Sequence, residues 1–187
     1  SIIIPTTGRI DLVRPCVESI RERTAYPNYE LVFVDNSHGR NPDGIAFVRS
    51  HGLAVLERAE PFNWAKLNND GVRATSGELL LFLNDDIEVI QDGWLEAMLE
   101  ALQAPGVGIV GPQLLYPNRR VQHAGLFLGR DGVARHAFRH CAADDPGYFG
   151  LALTPRDVIA VTGAALLTRR ATLEALGGFD ETHRVVF

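Results

Sequence analysis

Lysine is nearly absent from this sequence. Only Lys66 occurs among the 18 basic residues, and the others are arginines. The formal net charge is -5, and no basic run alternates with aromatic residues. A protein that binds nucleic acid through its phosphates needs clustered positive charge. The composition therefore predicts no nucleic-acid partner.

Cysteine and long apolar runs are also scarce. The two cysteines, Cys16 and Cys141, suit neither a disulfide framework nor a zinc motif, and a reduced compartment is the simpler interpretation. Cys16 lies on the apolar side of a predicted helix, where we expect plain core packing. No run approaches the roughly 18 apolar residues of a membrane span, and no signal peptide is recognisable. Hydrophobic residues at 46% and charged residues at 22% predict a globular domain with a substantial core.

Short apolar runs alternate with helical periodicity through the first 104 residues. Residues 92–103 carry a helical pattern for which Asp92 is the expected N-cap. This alternation predicts the α/β class, with a mostly parallel sheet covered on both faces. The predicted strands are 1–5, 30–35, 53–56 and 78–83, and the predicted helices are 11–23, 43–51, 64–74 and 92–103.

The pattern changes after residue 104. Strand-like segments at 107–112, 121–129 and 157–169 favour mixed or antiparallel pairing, 170–176 is helical, and 136–153 is a predicted surface loop. We expect one domain over 1–187, with halves at 1–104 and 105–187, cut from a longer protein. Residues 106–111 match GxGxxG, but they follow a helix and do not open one, so a dinucleotide fingerprint is rejected.

Acidic residues end two of the predicted strands. Asp35 closes VFVD, and Asp85 and Asp86 follow LLLFLN. Parallel strands place their carboxyl ends at one edge, where three carboxylates would repel one another without a cation. Oxygen ligands favour Mg²⁺ or Mn²⁺, which usually bring phosphates. A turn followed by a solvated helix cap is the alternative, and spacing alone leaves both open.

Four stretches, spread over nearly the whole chain, carry a recognisable pattern: SIIIPTTGR, CVESIRERTAYPNYELVFVDNS, FNWAKLNNDGVRATSGELLLFLNDD and VTGAALLTRRATLEALGGFDE. Together they resemble the N-terminal nucleotide-binding region of family 2 glycosyltransferases. Such a resemblance implies the GT-A fold, a three-layer sandwich around a mostly parallel central sheet. VQHAGLFLG and VTGA with the paired arginines resemble bacterial enzymes of cell-surface polysaccharide synthesis, including rhamnosyltransferase-like members.

The resemblance implies a nucleotide pocket after the first two strands. Pro5 and Thr6 would line this pocket, and Asp35 would contact the base or the ribose. Its ligand would be a nucleotide-diphosphate sugar donor. A saccharide or lipid-linked saccharide would be the acceptor.

The same resemblance implies roles for residues on the third predicted helix and after the fourth predicted strand. Lys66 and Asn69 would lie beside the nucleotide, and Asp85 would approach the ribose. Asp86 would ligate Mg²⁺ or Mn²⁺ against the diphosphate, where a Lewis acid stabilises the leaving charge. The acceptor hydroxyl would attack from the opposite face, a carboxylate would take its proton, and the anomeric configuration would invert.

The general base of the family lies in an acidic motif shortly after GGFDE, which here means beyond Phe187. Asp180 and Glu181 belong to GGFDE itself, and a structural or acceptor-side role is favoured for them over that of the base. We therefore expect these 187 residues to bind donor and to transfer sugar poorly.

Other readings of single residues stay open at this stage. Lys66 suits a nucleotide as a compact point charge or is an ordinary surface residue. Trp64 and Trp94 favour core packing over a sugar platform. Three histidines, His123, His136 and His140, lack the tight spacing of zinc ligands. Their pattern favours loop or acceptor-side positions over a zinc site.

Two other function classes remain as rivals. A nucleotidyltransferase needs a glycine-rich, basic loop after the first strand, and PTTGR supplies one glycine and one arginine. A non-catalytic sugar-nucleotide-binding module is the other rival. The expected location is the cytoplasm, where nucleotide sugars are made, with peripheral contact at the inner membrane face.

Overall fold

A computed structural model describes residues 1–183. It contains ten strands, five α-helices and one 3₁₀ turn over Tyr148–Gly150. The strands are β1 Ile2–Thr6, β2 Leu31–Asp35, β3 Ala54–Glu57, β4 Leu79–Leu83, β5 Ile109–Val110, β6 Leu114–Leu115, β7 Val121–His123, β8 Leu126–Leu128, β9 Ala134–His136 and β10 Ala165–Arg169. The helices are α1 Ile10–Arg23, α2 Pro42–Ser50, α3 Trp64–Arg73, α4 Trp94–Gln103 and α5 Arg170–Ala175.

One mixed sheet organises the chain, with strand order β3-β2-β1-β4-β10-β5. The pairs β3–β2, β2–β1 and β1–β4 are parallel, whereas β10 runs antiparallel to β4 and β5. The α/β class and the mostly parallel sheet are therefore confirmed. The continuous apolar runs of β1 and β4 occur because helices cover both faces of these strands.

Alternate residues of β1 face opposite layers, and this divides the core in two. Ile2 and Ile4 join a cluster that includes buried residues of α1, α2 and α4. Ile3 joins the cluster on the other face, with Leu67 of α3 and Leu173 of α5. The result is the three-layer sandwich that the sequence predicts, and Cys16 is fully buried in the first cluster.

Helix α3 lies unusually close to the sheet because a glycine faces it. A β-carbon on Gly71 would lie 2.3 Å from Cγ2 of Ile3 and 3.3 Å from Cγ2 of Val34. The distance to Ile3 is far too short for a carbon–carbon contact, and the distance to Val34 is tight, so glycine allows this approach without displacing the strand. The approach brings the polar face of α3 towards the carboxyl ends of β1 and β2.

The expected start of α4 is wrong. Gly93, with φ 72°, precedes the helix in the left-handed region, and no side chain caps it. Asp92 lies one residue earlier, and its carboxylate accepts a hydrogen bond of 3.2 Å from Nη1 of Arg23. A left-handed glycine turn therefore replaces the side-chain cap.

All three predicted strands of the second half are shorter than expected, and 107–112 contains only Ile109–Val110. In 157–169 only Ala165–Arg169 is a strand, and 121–129 divides into β7 and β8. The division falls at Gly125, which has φ 89° and whose added β-carbon would lie 2.4 Å from Cγ1 of Val158. The predicted loop over 136–153 also holds the last residue of β9 and the 3₁₀ turn.

Two small antiparallel sheets, β6–β7 and β8–β9, lie outside the main sheet. Among residues 1–183, no helix has the length and apolar character required to cross a membrane.

Replacing Gly71 with alanine tests the close approach of α3. We expect Gly71→Ala to lower the free energy of unfolding by about 1–3 kcal/mol, because the new methyl group overpacks against Ile3. Urea unfolding measures this change. The matched control is Gly108→Ala, whose β-carbon has its nearest neighbour at 3.9 Å and which should change stability by less than about 0.5 kcal/mol. Equal stabilities of the two variants would contradict the close contact.

Candidate functional site

The candidate site lies at the carboxyl ends of three adjacent parallel strands. Thr6 ends β1 and pairs in register with Asp35, which ends β2. On the other side of β1, β4 ends at Leu83 and leads into Asn84, Asp85 and Asp86. In open α/β sheets this edge is where ligands bind.

The hydroxyl of Thr6 joins β1 to the acidic turn after β4. Its Oγ1 accepts a hydrogen bond of 2.8 Å from the backbone N–H of Gly8 and donates one of 2.6 Å to Oδ2 of Asp85. Thr6 is 4% exposed, so neither bond competes with bulk water. The hydroxyl therefore fixes the position of one carboxylate at the strand edge.

Asp85 and Asp86 differ in their surroundings although they are adjacent. Burial raises the pKa of Asp85, and the charge of Asp86 raises it further, against hydrogen bonds from Thr6 and from the backbone of Thr7. Asp86 is exposed, and its carboxylate has no hydrogen bond or ion pair within the described residues 1–183. One carboxylate is therefore held by the protein, and the other is open to a ligand.

The end of β2 forms a second polar corner. Oδ1 of Asp35 accepts a hydrogen bond of 2.7 Å from the backbone N–H of Ser37. Nδ2 of Asn36 donates to the carbonyl oxygens of Arg58, at 3.0 Å, and Glu60, at 2.8 Å. Asn36 thereby fixes the segment after β3 beside Asp35. Asn36 was not predicted from the sequence, where its only signal is a polar side chain directly after a buried strand.

A buried carboxylate on α3 organises the positive charge near this corner. Oδ2 of Asp70 accepts a hydrogen bond of 2.6 Å from Nε of Arg58, and Arg73 pairs with Oδ1. Burial alone would raise the pKa of Asp70, but the bonds from these two arginines outweigh burial and hold the pKa below its ordinary value. Asp70 was not predicted from the sequence, although it lies four residues after Lys66 on the same helix.

Lys66 lies between two carboxylates without bonding tightly to either. Its Nζ is 3.9 Å from Oε1 of Glu60 and 3.8 Å from Oδ2 of Asp70. Both distances exceed those of a good hydrogen bond. The two carboxylates therefore hold the ammonium group by charge, while its N–H donors are available for a ligand.

The structure connects Asn69 to the GGFDE segment. Its Oδ1 accepts a hydrogen bond of 3.0 Å from the backbone N–H of Phe179, and its Nδ2 donates to the Phe179 carbonyl oxygen at 2.9 Å and to Oε1 of Glu181 at 2.8 Å. Asn63 adds a bond of 2.8 Å from its Nδ2 to the Glu181 carbonyl oxygen. Asn69 thus pairs with Phe179 as a neighbouring strand would, and the contact with nucleotide implied for Asn69 stays a prediction.

Both acidic residues of GGFDE have protein partners. Oδ1 of Asp180 accepts hydrogen bonds from the backbone N–H of Thr182, at 2.9 Å, and from its hydroxyl, at 2.7 Å. These bonds lower the pKa of Asp180, which makes it a weak base. Glu181 accepts the bond from Asn69. These contacts favour the structural interpretation, and the base expected beyond Phe187 lies outside the described residues.

Trp64 packs between the sheet and GGFDE. Its ring centroid is 5.0 Å from that of Phe179 and 6.5 Å from that of Phe82 in β4. A β-carbon on Gly163 would lie 2.8 Å from Cζ2 of Trp64. Trp64 is therefore a packing residue between β4, Gly163 and the GGFDE segment. Trp94 lies elsewhere and donates from Nε1 to Oγ1 of Thr24 at 2.9 Å.

Comparison with known proteins shows the family to which the chain belongs. The sequence profile described as glycosyl transferase family 2 matches residues 1–176. The chain belongs to this family.

Among curated relatives, the family 2 chain is similar to two large bacterial proteins. It is 40% identical over 190 residues to the uncharacterized protein y4gI of Sinorhizobium fredii, covering 100% of the chain and 21% of that protein. It is 40% identical over 189 residues to the O-antigen biosynthesis protein RfbC of Myxococcus xanthus, covering 99% of the chain and 15% of that protein. The chain thus spans only a minor part of these relatives.

Solved structures support the same fold. A mannosyltransferase from Pyrobaculum calidifontis, PcManGT, in complex with GDP-Man and Mn²⁺, superposes with a TM-score of 0.67 at 22% identity, covering 97% of this chain and 47% of that one. TarS from S. aureus, residues 1–349, superposes with a TM-score of 0.61 at 16% identity, covering 99% and 51%. The family 2 chain therefore has the GT-A fold.

Replacing Thr6 tests the link between β1 and Asp85. The bond from Thr6 lowers the pKa of Asp85, so we expect Thr6→Val to raise that pKa further. Leaving the Gly8 N–H without an acceptor should also lower the free energy of unfolding by about 1–3 kcal/mol. Carboxyl ¹³C NMR titration and urea unfolding measure the two effects.

The sign of the pH effect follows from the raised pKa of Asp85 in the folded chain. Between the ordinary pKa of 3.8 and the pKa in the folded chain, the unfolded chain has already released this proton, so stability falls as pH rises. Thr6→Val should widen this interval. Thr6→Ser keeps the hydroxyl and is the control. An unchanged Asp85 pKa in Thr6→Val would contradict the assigned bond.

Proposed function

We propose that this chain forms the donor-binding part of an inverting glycosyltransferase. It would take a sugar from a nucleotide-diphosphate sugar, with Mg²⁺ or Mn²⁺, for transfer to a saccharide or lipid-linked saccharide in surface polysaccharide synthesis. The observation that carries this proposal is the Thr6–Asp85 bond at the strand edge, with Asp86 exposed beside it. Membership of glycosyl transferase family 2 supports sugar transfer, and the name of RfbC supports polysaccharide synthesis.

The nucleoside would occupy the pocket beyond β1 and β2. Pro5 and Thr6 would form its floor, and Asp35 would accept a hydrogen bond from the base or the ribose. Oδ1 of Asp35 already accepts from Ser37, so Oδ2 is the oxygen that would serve the ligand. Asp85 would approach the ribose from the other side of Thr6. A hydroxyl bonded to a carboxylate is a suitable wall for a polar sugar, because both partners stay satisfied when the ligand leaves.

The acidic turn fits a metal that shares its coordination with phosphates. Within residues 1–183, no group of three or more His, Cys, Asp or Glu side chains is placed to hold an ion alone. Mg²⁺ is commonly held by one or two carboxylates together with substrate phosphates and water. Asp86 offers such a carboxylate. A bound ion would supply Lewis-acid stabilisation of the leaving diphosphate.

Lys66 would add positive charge at the opposite side of the diphosphate. Its ammonium group is restrained by Glu60 and Asp70 at distances of 3.9 and 3.8 Å, so it retains donors for a phosphate oxygen. The pairing of Asp70 with Arg58 and Arg73 keeps that carboxylate ionised. Lys66 would therefore enter the site already oriented.

One observation favours a second candidate, a sugar-nucleotide-binding module without transfer. The carboxylates of Asp180 and Glu181 accept hydrogen bonds from Thr182 and Asn69. Neither is placed as an unpaired proton acceptor. Donor binding is common to both candidates, so it is the property to test first.

Thermal unfolding with nucleoside diphosphates tests donor binding. A ligand at a hundred times its dissociation constant stabilises the folded state by about 2.7 kcal/mol, which for a chain of this size raises Tm by about 5–10 °C. We expect such a shift with one of UDP, GDP, ADP or dTDP in the presence of Mn²⁺. It should be lost in Asp86→Ala.

The control variant is Glu88→Ala. Glu88 is also exposed and lies two residues after Asp86, so both variants remove one negative charge from the same turn. Retention of the shift in Glu88→Ala would assign the effect to the Asp86 carboxylate. A metal-dependent shift that survives Asp86→Ala would refute the assigned metal ligand, and no shift with any nucleotide would refute the donor site in this chain.

A further inference from the structure

A buried histidine holds together three segments of the second half of the chain. His123, the last residue of β7, is 1% exposed. Its Nε2 accepts hydrogen bonds from the backbone N–H groups of Gly125, at 3.2 Å, and Thr162, at 3.3 Å. Its Nδ1 lies 2.9 Å from Nδ1 of His136, the last residue of β9. Both ring nitrogens are therefore engaged. Both histidines lie at strand ends and not in loops, while the acceptor-side position, the other alternative, stays a prediction.

The partners of the rings determine where the protons are. Because two backbone N–H groups point at Nε2 of His123, that nitrogen carries no proton, and the neutral ring carries its proton on Nδ1. This proton is donated to Nδ1 of His136, which must then carry its own proton on Nε2. A second proton on either ring would set one N–H group against another.

His123 reaches the strand edge through the 161–164 loop. Thr162, which donates to His123, is followed by Gly163 beneath Trp64. The carbonyl oxygen of Ala164 then accepts a hydrogen bond of 3.0 Å from the backbone N–H of Asn84. Asn84 is the first residue of the acidic turn. Two hydrogen bonds and three residues of backbone, 162–164, therefore separate the buried histidine from the turn that carries Asp85 and Asp86.

We propose that the neutral His123–His136 pair is a positioning device: it holds the 161–164 loop against the carboxyl end of β4, and protonation of the pair at acid pH releases this side of the site. The proposal goes beyond the proposed function. Only its last measurement rests on nucleotide binding.

The groups around the pair oppose its protonation. Burial, the neighbouring His136 and Arg156 lower the pKa of His123 to about 4. Burial and Arg139 lower the pKa of His136. Arg156 lies on the segment that leads into the 161–164 loop, and Arg139 lies on the segment that follows β9. Both charges are positive, so neither stabilises an imidazolium ion.

The lowered pKa values determine the direction of the pH effect. The unfolded chain takes up these protons near the ordinary histidine pKa of 6.5, whereas folding lowers the pKa of His123 to about 4. Stability from the neutral pair is thus complete above 6.5 and declines as pH falls towards 4. The 161–164 loop should loosen at the acid end of this range.

The first test reads the tautomers directly. Long-range ¹H–¹⁵N spectra of the histidine rings distinguish a proton on Nδ1 from one on Nε2. We expect the Nδ1–H form for His123 and the Nε2–H form for His136 at pH 7, with His123 unprotonated at pH 5.5. An Nε2–H form of His123, or its titration at the ordinary value for histidine, would overturn the proposal.

The second test separates the two hydrogen bonds of His123. Glutamine can place an acceptor oxygen near the position of Nε2, so His123→Gln keeps the bond from Thr162. Asparagine can place an N–H donor near the position of Nδ1, so His123→Asn keeps the bond to His136 and loses the loop. The exposed control is His140→Asn, at a left-handed position with φ 69° that asparagine tolerates.

Trp64 fluorescence reports the loop, in a Trp94→Phe background that leaves Trp64 as the single tryptophan. The parent protein should change its emission on acidification from pH 7 to pH 4, where His123 takes up its proton, whereas His123→Gln should not. His123→Asn should show the altered emission already at pH 7. Equal behaviour of the Gln and Asn variants would overturn the role assigned to the Thr162 bond.

The last measurement is the affinity of each variant for UDP, GDP, ADP and dTDP in the presence of Mn²⁺. We expect binding about tenfold weaker in His123→Asn and near the parent value in His123→Gln and His140→Asn. Unchanged affinity in His123→Asn would overturn the link from the loop to the acidic turn. Absence of binding by the parent protein would refute the proposed function, while the tautomers and Trp64 emission would still decide on the histidine pair.

Discussion

The parallel register of β2, β1 and β4 decides where every polar group of the candidate site lies. Because Thr6 pairs with Asp35 and its hydroxyl reaches Asp85, one residue of the central strand connects the two outer strand ends. The register is fixed by buried apolar side chains on both faces of the sheet. A shift by one residue would exchange the two faces of a strand, so the core and the site are specified together.

Helix α3 also determines which polar side chains lie at this edge of the sheet. Gly71 has no β-carbon, so α3 can pack closely against Ile3. The same helix carries Lys66, Asn69 and Asp70 on its polar face, near the carboxyl ends of the strands. Each of these side chains then has a different task. Asp70 forms an ion pair with Arg58, and Asn69 forms hydrogen bonds with the GGFDE segment. Lys66 lies too far from Asp70 for a good hydrogen bond, so its N–H donors remain available for a ligand.

The sequence predicts the fold well where signals are local. The apolar runs of β1, β2 and β4, with helical periodicity between them, are sufficient for a parallel sheet with two covered faces. The partners of polar residues are less accessible, because they come from distant positions: Asn69 meets Phe179 across 110 residues, and His123 meets Thr162 across 39. Asp92 does not cap α4, because Gly93 precedes the helix in the left-handed region. N-cap preferences alone favour aspartate over glycine, so this difference could not be predicted from the sequence. The candidate carboxylates were found because they interrupt an apolar run, whereas Asp70 and Asn36 lie among other polar residues and give no such signal.

The scarcity of lysine has a practical side. Lys66 is the single side-chain amine of this sequence, and its Nζ lies 3.8 Å from Oδ2 of Asp70 on α3. Reagents that couple to amines therefore have one lysine target here, besides the α-amine of Ser1, and would attach a fluorophore, a spin label or a crosslinker to α3 without engineered cysteines. A label at this lysine would report directly on the polar face of α3.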